Sequence, residues 1–258
     1  MNPNVLLSCA WLAVLSGSCV ESLDPDISTT THELSADNGL PFINGLNTQN
    51  GLNTLNGLNT QNGLNTQNGL SSTGVMMTTA AGRNTVTYLV RCALPAGRAI
   101  TKQDDLGVSY TFWGALGMGP GWETGACDEA CQEWVSACML AHVNTAAINV
   151  PLWVVANPEQ QPHIGWSLSP TYPNQEGAFF GNIFVSPPRL HYCNGRNVNE
   201  GIVAGRIGSI QIDPPYTNPF NGKGRCNDHC TQSAFPNSSS GYRSCSGGHG
   251  AVLTVWRQ

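Results

Sequence analysis

The placement of cysteine constrains this chain more than any other feature. Eight of the ten cysteines lie between Cys92 and Cys245, and the other two, Cys9 and Cys19, lie near the start. Residues 20–91 have none. An even set of thiols confined to one stretch reads as a disulfide framework built in an oxidising compartment. The same distribution divides the chain into a leader over 1–18, a cysteine-free segment over 19–74 and a cysteine-rich domain over 75–258.

The leader supports export. Residues 5–15 (VLLSCAWLAVL) form an unbroken apolar run. It is too short for a spanning helix, which needs about 20 residues, and suits the apolar region of a secretory signal. Ser16, Gly17 and Ser18 are the small residues a signal peptidase accepts. They also precede Cys19 as in a bacterial lipobox, although Leu15 stands one place early. Parity favours lipidation of Cys19: cleavage before it leaves an odd number of cysteines, and a lipidated Cys19 leaves eight to pair. The expected location is therefore the outer membrane or cell surface as a lipoprotein, with soluble secretion as the alternative. The lipid would be the only membrane contact.

Residues 38–73 are hexapeptides, NGLPFI, NGLNTQ, NGLNTL, NGLNTQ, NGLNTQ and NGLSST. A hexapeptide period raises a β-solenoid, but such coils bury a continuous core by stacking. Each unit here offers little beyond one Leu, too little to offset the entropy of ordering the chain. The expected role is a polar tether rich in Asn-Gly turn formers. A flexible chain from Cys19 to Thr73 spans roughly 40 Å.

The domain is expected to be α+β: a single, mostly β, disulfide-stapled unit with one main helix. Strands are predicted over 84–92, 108–113, 148–155, 178–185 and 251–256 from their β-branched and aromatic content. Pro151 should stand at an edge or at a strand's start. The helix is predicted over 128–143 (DEACQEWVSACMLAHV), with acidic residues at its positive end.

Cys127, Cys131 and Cys138 fall on one stripe of that helix if Cys127 is helical, at offsets of about 40° and 20°. Stacked in that way they should bond outward, to partners among Cys92, Cys193, Cys226, Cys230 and Cys245. We expect Cys92 to reach a helix cysteine and Cys245 to reach Cys226 or Cys230. The rival is zinc held by Cys127, Cys131, Cys226 and Cys230. Oxidation of exposed thiols in an exported protein argues against it, so no metal and no cofactor are called for.

The domain lacks the HExxH, GxSxG and phosphate-loop motifs. Glu176 lies beside an apolar strand and is the weak candidate for a general acid, because burial raises a carboxyl pKa. His249 has the most permissive backbone of the histidines. Trp122, Trp166, Tyr172 and Tyr216 lie in Gly- and Pro-rich stretches, where rings can stack on sugars or partner surfaces. Trp153 and Trp256 are expected in the core. A net charge of −5 with no basic cluster excludes nucleic acid.

The runs LVRCALPAG (89–97), CQEWVSACMLA (131–141) and EGAFFGN (176–182) resemble a group of cysteine-rich exported proteins of myxobacteria. Many of these carry a lipoprotein-like leader, and none has an assigned activity. The resemblance covers most of 84–256 and implies export and the domain boundary. Two functions stay open. One is a binding module displayed at the envelope, for carbohydrate or a surface protein. The other is a hydrolase of polysaccharide or cell wall that uses Glu176.

Overall fold

The computed structural model describes residues 35–37, 40–41, 75–144, 151–162, 164, 168–185, 188–195, 220–232, 241–246 and 250–258. All belong to the unit Leu34–Gln258. The leader, Cys19 and residues 38–39 and 42–73 of the repeat lie outside them. Two short strands, β1 (Ser35–Asp37) and β2 (Leu40–Pro41), fall in the segment read as tether. They pair with strands of the domain.

Helix α1 spans Ala80–Ala93, where a strand is expected. Val, Thr and Tyr suggest a strand, but propensity yields to the buried face. Val86, Leu89, Val90 and Ala93 recur at helical spacing, and all are buried. Thr79 caps the helix by accepting the Gly82 amide at 3.0 Å. Leu94 leaves the helix in an extended conformation, as the residue before Pro95 must. Among the described residues the domain thus has two long helices rather than one.

After α1 come the hairpin strands β3 (Ala99–Gln103) and β4 (Ser109–Trp113), then helix α2 (Glu129–Ala141). Asp128 caps α2 by accepting the Cys131 amide at 2.9 Å. Strands β5 (Val143–Asn144), β6 (Pro151–Val155), β7 (Asn174–Asn182) and β8 (Arg189–Asn194) follow. The chain ends with β9 (Phe220–Arg225), the short helix α3 (Cys226–His229), β10 (Cys230–Gln232), β11 (Tyr242–Cys245) and β12 (Val252–Arg257).

Six strands form the main sheet in the order β1-β6-β12-β7-β8-β9. All neighbours are antiparallel except β8 and β9. Pro151 opens β6 and lies opposite Asp37. Separately, β2 pairs with β5 in parallel, β3 with β4, and β10 with β11.

The sheet is covered on both faces. Leu152, Val154, Phe179, Leu253 and Val255 join the core that also holds α1 and α2. Ala178, Phe180 and Val252 turn to the other side, against Tyr242 and the disulfides of the C-terminal strands. Two-sided burial explains why 178–185 is a continuous apolar run rather than an alternating one. Polar side chains lock α2 to the end of β7. Ser136 Oγ accepts the Ile183 amide at 2.9 Å, and Asn182 Nδ2 donates to Gln132 Oε1 at 3.1 Å.

Candidate functional site

The eight domain cysteines form four disulfides. Cys92–Cys138 joins α1 to α2, the expected reach from Cys92 to a helix cysteine. Cys193–Cys226 ties β8 to α3, and Cys230–Cys245 closes β10 on β11.

The expectation that no two helix-stripe cysteines pair is overturned by Cys127–Cys131. Cys127 lies before α2, not on it. Asp128 is extended at φ −68° and ψ 179°, which turns Cys127 back onto the first helical turn. The zinc alternative is not built either. Cys127 and Cys131 bond each other, while Cys226 and Cys230 bond Cys193 and Cys245.

Glu176 lies within β7 and is 1% exposed. The pairing of β12 with β7 shifts there: Val255 faces Gly177 and Trp256 faces Gln175, so Glu176 occupies the bulge. Its carbonyl accepts the Gly195 amide at 2.8 Å. In this setting the side chain is shielded from a bulk substrate.

Of the four candidate ring residues, Trp122 and Tyr172 fall among the described residues. Trp122 is 0% exposed and meets Phe184 edge to face at 5.4 Å. Its 3-10 turn, Pro120–Glu123, lies inside the core, because a large apolar ring in a Gly/Pro loop still gains most by burial. Tyr172 is half-buried and stacks on Trp153 at 5.9 Å. Trp153 and Trp256, both buried, lie opposite each other on β6 and β12. Trp166, Tyr216 and His249 fall outside the described residues.

Among the described residues, the exposed indole is Trp113, at the end of β4 and 44% accessible. Sequence reasoning missed it, although alternation along 109–113 carries the signal. Ser109, Thr111 and Trp113 point one way, Tyr110 and Phe112 the other. On the partner strand, Thr101 and Gln103 are exposed on the same side as Trp113. The outer face is therefore an uncharged row. Thr101 and Thr111 hydroxyls bond at 3.2 Å, and Gln103 Nε2 donates to Ser109 Oγ at 3.3 Å. Leu106 and Val108 project from the hairpin tip.

The inner face packs on α1 through Ile100 and Phe112. Lys102 is buried there, and burial lowers its pKa to about 8. Arg83 of α1 lies over the Tyr110 ring, 4.7 Å from its centroid, and the Tyr110 hydroxyl donates to Asp104 at 3.1 Å. Desolvation draws the Asp104 carboxyl upward. The Val108 amide, the Tyr110 hydroxyl, the Leu106 amide and Arg83 outweigh it and hold the group below its usual range. These contacts hold the hairpin against α1 by its inner face. The outer face can stack an apolar ring surface on Trp113 and offer hydroxyl and amide groups beside it.

In comparison with known proteins, no family profile, curated protein or solved structure matches this chain. Among the described residues, no helix is long and apolar enough to cross a membrane.

Proposed function

We propose that this chain is an exported binding module whose contact surface is the outer face of the β3–β4 hairpin, and that its ligand is a neutral polysaccharide. The observation that carries this reading is the exposed Trp113 set beside Thr101, Thr111, Gln103 and Ser109. Sugars present apolar ring faces that stack on indole and hydroxyls that exchange hydrogen bonds with just such groups. A face without charge suits an uncharged polymer better than an anionic one.

Four disulfides fit an extracellular or otherwise oxidising environment. The leader and the likeness to exported myxobacterial proteins point the same way. Lipidation of Cys19 is part of the proposal and has its own test: a Cys19→Ala variant should leave the membrane fraction, and one that stays there overturns the anchor. The hydrolase reading is weaker, since a general acid must touch the leaving oxygen and Glu176 is buried in the sheet.

The test is affinity electrophoresis of the mature protein in gels cast with neutral polysaccharides. Retardation should be lost in Trp113→Ala and kept in Glu176→Gln, with circular dichroism confirming both folds. Retardation unchanged in Trp113→Ala overturns the hairpin site. Release of reducing ends by the wild type but not by Glu176→Gln overturns the module in favour of the enzyme.

A further inference from the structure

The two C-terminal disulfides lie against each other. Cys193 Sγ, in the bond to Cys226, is 3.6 Å from Cys230 Sγ, in the bond to Cys245. That is sulfur–sulfur contact, with no room for an atom between them. The Sγ atoms of Cys193, Cys226 and Cys230 all lie within 4.8 Å of one another. Exposure divides them into an outer and an inner pair. Cys230 is half-buried and Cys245 6% exposed, whereas Cys193 and Cys226 are fully buried. Among the described residues, the other two disulfides lie elsewhere: Cys92–Cys138 is sealed in the core, and Cys127–Cys131 closes one turn at the start of α2.

From this arrangement we infer that the Cys230–Cys245 and Cys193–Cys226 bonds form a thiol–disulfide relay, opened from outside by a dithiol and passed inward through Cys230. In the first step a thiolate of the dithiol attacks Cys230 Sγ, and Cys245 leaves as a thiolate that takes up a proton. The second thiol of the dithiol then closes on the first, forming the dithiol's own disulfide and releasing Cys230 as a thiolate. The dithiol is oxidised by two electrons and the protein reduced by two. In the last step the Cys230 thiolate attacks Cys193 Sγ, already in contact with it. The Cys193–Cys226 bond breaks, a Cys193–Cys230 bond forms, and Cys226 leaves as a thiolate and is protonated. This step consumes no further electrons. Exchange of this kind needs contact between the attacking and attacked sulfurs, and here the fold supplies it.

The exchange alters what the staples hold. Before it, β10 is bonded to β11 and β8 to α3. After it, β8 is bonded to β10, and β11 keeps only its hydrogen bonds. One of these is Tyr242, whose amide donates to Thr254 Oγ1 at 3.0 Å and whose hydroxyl donates to Asn227 Oδ1 at 2.9 Å. The relay is thus a redox latch on the strand that covers the second face of the main sheet.

The test uses the mature protein with limiting dithiothreitol, an acid quench, alkylation and peptide mapping. We expect label on Cys226 and Cys245 together with a Cys193–Cys230 linked peptide, while Cys92–Cys138 and Cys127–Cys131 stay closed. The linkage should appear at a rate independent of protein concentration. A Cys245→Ser variant provides the same reading without reductant: its free Cys230 should yield a fraction with the thiol at Cys226. Label confined to Cys230 and Cys245, with Cys193–Cys226 intact at long times, overturns the relay. So does simultaneous reduction of all four bonds, or a linkage that forms only between molecules.

Discussion

Lys102 on β3 and Tyr110 on β4 are directly paired across the hairpin, both on the side turned toward α1. The pair places a buried amine beside a phenol that is itself covered by the Arg83 guanidinium. Two cationic groups on one inner face set the electrostatics of the hairpin, and the burial of Lys102 has a readable consequence.

Burial lowers Lys102 from its usual 10.5 to about 8. Between these values the unfolded chain holds the proton and the folded chain does not, so unfolding free energy rises with pH across that window. Below about pH 8 both states are charged and the desolvation cost is fully present. Lys102→Met removes the titrating amine and should therefore abolish the rise in stability between about pH 8 and pH 10.5. Urea melts at pH 7 and pH 9.5 check this, and a variant whose stability still rises between the two as the wild type's does contradicts it.

The two tryptophans of the 109–123 stretch should behave oppositely. Trp122→Ala removes a fully buried ring and should cost about 3–5 kcal/mol. Trp113→Ala trims a ring that is 44% exposed and should cost about 1 kcal/mol or less. Denaturant titration followed by circular dichroism separates them. Equal losses would mean that Trp113 is a packing residue and weaken the proposed binding face.

The residues around both helices show where sequence reasoning reaches its limit. Asp128 and Glu129 announce α2, because a cap and a helix dipole act locally. Cys127 looks helical by spacing and is not, since the extended Asp128 that precedes the helix has no signature separate from its capping role. Residues 84–92 read as a strand from Val, Thr and Tyr, yet the spacing of Val86, Leu89 and Val90 was equally present and matches the core that α2 provides. Trp122 in its Gly/Pro loop could not be placed without the Phe184 that meets it. The strands β1 and β2 were hidden because their pairing partners lie more than a hundred residues away in β5 and β6. Trp113, in contrast, carries a local signal, because Ser109, Thr111 and Trp113 alternate with Tyr110 and Phe112 along the strand.

Gly181 should resist substitution. It lies in β7 at φ +129°, a conformation open to glycine, and a Cβ there would collide with the Arg189 carbonyl across the ladder to β8. Gly181→Ala should cost about 2–4 kcal/mol, combining backbone strain with displacement of a paired strand. Gly97→Ala is the control: it has a similar positive φ of 83°, but nothing lies within 4 Å of its Cβ, so strain acts alone and the cost should be smaller. Thermal melts of the two variants measure the difference. If they are equal, the collision at Gly181 is relieved by a small shift of β8.

Loop length should order the disulfides by their contribution to stability. Cys92 and Cys138 are 46 residues apart, Cys127 and Cys131 only 4. Closing a loop removes entropy from the unfolded chain in proportion to the logarithm of its length. On that relation the first bond contributes about 4 kcal/mol and the second about 2 kcal/mol. Serine pairs at each site should reproduce the order, because serine is nearly isosteric with a reduced cysteine. Cys92→Ser/Cys138→Ser carries a further cost, since both sulfurs are buried in the core where two hydroxyls need partners. Replacing that pair with alanine isolates the entropic part. A Cys127→Ser/Cys131→Ser variant less stable than Cys92→Ala/Cys138→Ala would show that the short bond is needed to form the first turn of α2, not merely to close a loop.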